Sequence, residues 1–117
     1  MRIRALLNRI LDDEALTRGL GDAEARILIE WLTDWVETIA ERYPGDTEAT
    51  SRVEMLRRRG RSIRRFVDLW CHEADYAAAT QLAASERFRW PLPEADADPW
   101  LLMHQIVGWE ESHLQAA

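Results

Sequence analysis

The sequence predicts an all-α fold, and three observations predict it. Apolar residues recur at the three- and four-residue spacing that lines one face of a helix. Glycine, proline and capping residues fall between those stretches. No stretch alternates apolar and polar residues with β-branched enrichment over five positions. With 117 residues, 47% of them apolar and 31% charged, the chain is long enough to bury a core and falls within the usual size of a single domain, 1–117. About five helices are expected.

The first helix, over about 2–16, sets Ile3, Leu6, Leu7, Ile10 and Leu11 on one side, and Gly19 supplies its terminus. Asp22 caps a second helix over about 23–43. That helix carries Leu28, Trp31, Leu32, Trp35, Val36, Ile39 and Tyr43 opposite an acidic stripe of Glu30, Asp34, Glu37 and Glu41. Pro44 and Gly45 stop it, and Asp46 or Thr47 starts a third helix whose apolar arc runs through Val53, Leu56, Gly60, Ile63, Val67, Trp70 and Cys71. A glycine inside a helix costs about 1 kcal/mol relative to alanine, so Gly60 on the apolar side predicts that another helix crosses close to it.

A break is expected near His72, with Asp75 capping the small-faced helix that follows, so that residues 47–87 form a helical hairpin. Residues 88–98, with Pro91 and Pro93 and an acidic run to Asp98, read as a loop pinned by Trp90 and Leu92. Asp98 followed by Pro99 opens the last helix, over about 99–114.

Charge is distributed unevenly. The net charge is −6, yet between 52 and 65 seven arginines stand against Glu54 alone, which gives that stretch +6 and leaves −12 for the rest. Arg57, Arg58, Arg61, Arg64 and Arg65 share one side of the third helix. Such a stripe has the geometry to follow a phosphate backbone, but Glu54 and Asp68, one turn away at either end, and the acidic stripe of the second helix offer it ion pairs instead. An acidic chain repels nucleic acid as a whole, so an ion-paired surface or a protein partner is the favoured reading and a nucleic-acid-associated regulator the alternative. The acidic and basic stripes would also complement each other across a homodimer.

Glu110 and His113 form Glu-x-x-His on the inward side of the last helix, with Leu102, Met103, Ile106 and Val107; this is half of the ligand set of a di-iron helical bundle, but no second copy is present and no cofactor is expected. Cys71 adjoins His72, yet neighbours on a helix point about 100° apart, and the cysteine falls on the apolar arc. Gly19-Leu20-Gly21 lacks the strand and third glycine of a dinucleotide loop, and no phosphate-binding loop or nucleophile elbow occurs; the chain is not expected to be an enzyme. One cysteine, no leader-like N-terminal segment and no apolar run of about 20 residues make a cytoplasmic location the expectation.

Six tryptophans are many to bury in a chain of this length; one or two are expected to stay partly exposed, and Trp90, Trp100 and Trp109 are the candidates. Trp90 and Trp100 join Arg57, Arg61, Arg64 and Arg65 as the candidate interaction surface. The stretch from Ile63 to Pro91 resembles a single tetratricopeptide helix pair. Ile63, Phe66 and Trp70 match the large residues of its first helix, Asp75-Tyr76 its turn, and Ala79 and Pro91 its second helix; Val67 and Glu86 depart from the pattern. The resemblance covers a quarter of the chain and implies a helical hairpin and protein binding. Together these readings make a small non-enzymatic protein-interaction or regulatory domain the expected function.

Overall fold

A computed structural model describes residues 2–116, with side chains as far as Leu114. Among the described residues there are six α-helices and no strand: α1 (Arg2–Leu11), α2 (Glu14–Thr17), α3 (Ala23–Arg42), α4 (Asp46–Val67), α5 (Tyr76–Ser85) and α6 (Pro99–Ala116). A π-helical turn, Asp68–His72, continues α4. The all-α expectation holds. By its contacts the chain divides into two compact units, Met1–Arg61 and Ser62–Ala117.

In the first unit, α1 lies along α3, burying Leu6 and Ile10 together with Leu28, Leu32 and Val36. Arg2 fastens the other end of α3: its guanidinium donates to the carbonyls of Ala40, Tyr43 and Pro44, which the helix ladder leaves open. The expected helix over 2–16 is interrupted. It ends at Leu11, and Asp13 starts the one-turn α2 by accepting from the Ala15 amide at 3.0 Å. The interruption turns Leu16 inward, where it is fully buried. The close crossing expected at Gly60 is present. A Cβ built there would stand 2.8 Å from Leu32 Cδ1 and 3.1 Å from Leu16 Cδ2, so glycine is what lets α4 approach these leucines.

In the second unit, the break between α4 and α5 falls where it was expected. It is made without glycine: Ala74 takes a left-handed φ of 51°, the Asp75 amide donates to the Leu69 carbonyl, and the Asp75 carboxylate caps α5 at the Ala78 amide. The hairpin is therefore two helices. α5 stops at Ser85, so Pro91 lies within the following loop rather than at the helix end the tetratricopeptide resemblance implies. That loop is held by side-chain donors from the helices. Trp70 Nε1 donates to the Glu94 carbonyl at 2.8 Å, Tyr76 Oη to Ala95 at 3.2 Å and Trp109 Nε1 to Phe88 at 2.8 Å. Phe66 lies between Trp70 and Trp90, with ring centroids 6.2 and 5.3 Å away, and forms the centre of this unit's core.

Candidate functional site

The sequence-derived candidates divide by how the fold uses them. In the first unit, Arg57 and Arg61 project from α4 onto Asp13, whose side chain is almost fully buried. Arg57 Nη1 donates to Asp13 Oδ2 at 2.6 Å; Arg61 donates through Nε at 2.7 Å and Nη2 at 3.1 Å. Glu54 adds a second acid, accepting from Arg57 at 2.7 and 3.1 Å and from Arg9 at 3.0 Å. Burial raises the Asp13 pKa, but the hydrogen bonds from Arg61 and Arg57, the Arg61 charge and the Ala15 amide outweigh it and hold the carboxyl below its ordinary range. The hydrogen bond from Arg57 lowers Glu54 likewise, and both acids raise Arg57. An open groove of about 340 Å³ runs over this cluster, lined by Arg9, Asp12, Glu14, Glu54, Arg57 and Arg61 among others. Its three arginines each donate to Asp13 or Glu54 of the same chain.

Arg64 and Arg65, in the second unit, also have acidic neighbours. Arg64 is buried, 3.9 Å from Asp68, and Arg65 donates to Glu73 at 2.8 Å. The ion pairs expected from Glu54 and Asp68 are thus present, and Asp13 and Glu73 join them from positions that helical spacing does not show. The four arginines named as candidates all face carboxylates of their own chain, which reduces the positive potential they offer to a phosphate backbone.

Trp90 is buried, at 4% exposure, so it pins the loop as expected but does not stand on an exposed surface. Its Nε1 donates to Glu110 Oε1 at 2.8 Å, and a fully buried carboxylate needs such a donor. Leu92, expected to pin the loop, is exposed at 51% instead. Glu110 does point inward, as its helical face predicted. His113 Nδ1 donates to the Trp109 carbonyl at 2.7 Å, and its ring stacks on Phe88 with centroids 5.1 Å apart. Among the described residues no three histidine, cysteine, aspartate or glutamate side chains converge on a point that would hold a metal ion.

Of the two tryptophan candidates Trp100 is the one open to solvent, at 48% exposure, beside Leu101 at 49%. Asp98 caps α6 by accepting from the Trp100 and Leu101 amides at 2.9 and 3.2 Å, so the cap that starts the helix also fixes where these two residues stand. Trp100 packs edge-on to His104, with centroids 4.4 Å apart. The exposed face continues through Gln105, Gly108 and Ser112, with the half-buried Glu111 as the carboxylate among them. In a chain where nearly one residue in three is charged, a helical face that opens on an exposed tryptophan and an exposed leucine is the exception. Only Trp100 had been singled out from the sequence; the spacing 100, 101, 104, 105, 108 is legible there once the opposite face, Leu102, Met103, Ile106 and Glu110, is known to be buried.

No protein-family model matches the chain, and comparisons with curated proteins and with solved structures find no significant similarity. Among the described residues no helix is long and apolar enough to cross a membrane.

Proposed function

We propose that the chain is a small cytoplasmic protein-binding domain without catalytic function, and that it docks through the outer face of α6. One observation carries this reading: Trp100 and Leu101 stand exposed side by side at the head of the outer face of α6. Tryptophan is among the residues that supply most of the energy in protein interfaces, and fixing Trp100 against His104 lowers the entropy lost on binding. The arginine stripe acts within this reading as an internal clasp, since Arg57, Arg61 and Arg65 each donate to a carboxylate of the same chain.

The test is site-specific photocrosslinking in native cells, with a benzophenone amino acid in place of the exposed Gln105. A discrete protein adduct that survives nuclease, and that is lost when Trp100 and Leu101 are both changed to alanine, supports the reading. The same probe at the exposed Glu37 of α3 gives no such adduct. An adduct that nuclease removes, or none above the Glu37 control, overturns it.

A further inference from the structure

The charges that border Trp100 and Leu101 all have one sign. From Trp90 to Ala117 the chain has five carboxylates and no arginine or lysine. Glu110 is buried against the Trp90 indole. Glu94, Asp96 and Asp98 are exposed on the segment that leads into α6, and Glu111 is half-buried three turns along from Trp100 on the same side of the helix. Asp98 has a task within the fold, since it caps the Trp100 and Leu101 amides. Glu94 and Asp96 do not: among the described residues their carboxylates accept no hydrogen bond and pair with no base. The four candidate arginines of α4 differ, because each has a carboxylate of its own chain beside it.

We infer that the segment docking on the outer face of α6 is cationic and amphipathic: it sets an arginine or lysine against Trp100 and the acids before it, and an aliphatic side chain against Leu101. This names the partner's chemistry for the protein-binding reading and rests on it. Tryptophan is the aromatic ring that attracts a cation most strongly, and the Asp98 carboxylate stands two residues away, well inside the 8–10 Å or so over which charges act at physiological salt.

Glu111 lies about 16 Å farther along the helix axis, so a segment lying along α6 meets a carboxylate at each end of the face. Gly108 falls between them. A Cβ built there would meet nothing within 4 Å, which lets the segment lie close to the helix. The same acids select against the other occupants. A phosphate backbone is repelled by them, and the same face of a second copy would bring acid to acid.

The test uses the purified full chain and two labelled model peptides, an amphipathic leucine–lysine helix and its leucine–glutamate counterpart, read by fluorescence anisotropy. The lysine peptide is expected to bind in the micromolar range and to weaken as salt rises, with the glutamate peptide at least about tenfold weaker. Trp100→Ala with Leu101→Ala, and separately Glu94→Arg with Asp96→Arg, each lower the affinity for the lysine peptide at least about tenfold. Glu30→Arg with Glu37→Arg makes the same change in net charge at exposed positions of α3 and leaves that affinity within about twofold. Equal losses in the two charge-reversed variants, a glutamate peptide that binds as tightly as the lysine peptide, or a wild-type chain that binds neither overturns the inference. The Gln105 crosslink separates it from the reading beneath it. An adduct that persists in the Glu94→Arg, Asp96→Arg variant, or one with a second 13.6 kDa copy, overturns the cationic partner and leaves protein binding standing, whereas no adduct in the wild type overturns both.

Discussion

Replacing Asp13 by asparagine and, separately, by alanine divides the two tasks of its carboxylate. One is to cap α2 at the Ala15 amide; the other is to accept from Arg57 and Arg61. Asparagine caps as well as aspartate, so Asp13→Asn keeps the first task and removes the charge from the second. A hydrogen bond to a charged group is worth about 1.5–3 kcal/mol. Arg57 is mostly buried and retains about 1.5 kcal/mol of that, while the half-exposed Arg61, screened by water, contributes about 0.5. Asp13→Asn is therefore expected to cost about 2 kcal/mol at neutral pH, and Asp13→Ala about 3, the difference being the lost cap. Urea unfolding followed by circular dichroism measures both. The sign of the pH dependence follows from the lowered Asp13 pKa: its stabilisation is fully present above the unfolded value, near 3.9, and is lost as pH falls through the folded value. The gap between wild type and Asp13→Asn should thus narrow as pH drops below about 4. A gap under about 0.5 kcal/mol at pH 7, or one that does not change with pH, would refute the clasp as a source of stability.

Three other substitutions test the packing. Gly60→Ala pushes a methyl group into the fully buried Leu32 and Leu16; an overpacking cost of about 1–3 kcal/mol exceeds the helical gain of about 1, so the midpoint should fall, and a rise would contradict the close crossing. Trp90→Phe removes the indole donor to buried Glu110 and is expected to cost about 2–3 kcal/mol, against under 1 for Trp100→Phe on the exposed face. Ala74→Gly relieves a left-handed residue costing about 1–2 kcal/mol and adds slightly less than that in unfolded-chain entropy, so it should stabilise by about 0.5, measurable as a higher thermal midpoint.

The elements that could be read from the sequence are those whose causes are local. Asp22, Asp75 and the Asp98-Pro99 pair stand directly before the helices they begin, and Gly60 announced its close neighbour because an interior glycine needs a reason. The interruption after Leu11 was missed because its cause is distant. Asp13 is held by arginines 44 and 48 positions later, and the apolar spacing of α1 runs up to the interruption without a proline or glycine to mark it. The local signal was present in Asp13-Glu14, an N-cap followed by an acid in the first turn. The burial of Trp90 has the same origin, since its Glu110 partner lies 20 residues away and a tryptophan beside prolines reads locally as a loop anchor or an exposed anchor equally well. On α6 the helix and its inner side, through Leu102, Met103 and Ile106, were legible, but the exposure of Leu101 was not, because apolar residues lie on both sides.

The loop between α5 and α6 is fastened by its carbonyl oxygens: Phe88, Glu94 and Ala95 accept from Trp109, Trp70 and Tyr76, and Ala97 accepts from Cys71 Sγ. Deuterium uptake at backbone amides therefore reports only part of its order: the Arg89, Trp90 and Ala97 amides donate to Glu86, Ala83 and Glu94, but the ties to Trp70, Tyr76 and Trp109 are made by oxygens. The slow protons belong to the rings that hold it. In a nitrogen-edited spectrum the indole resonances of Trp70 and Trp109 would persist in deuterated water after amides of the segment they hold have vanished, and would record when that segment lets go.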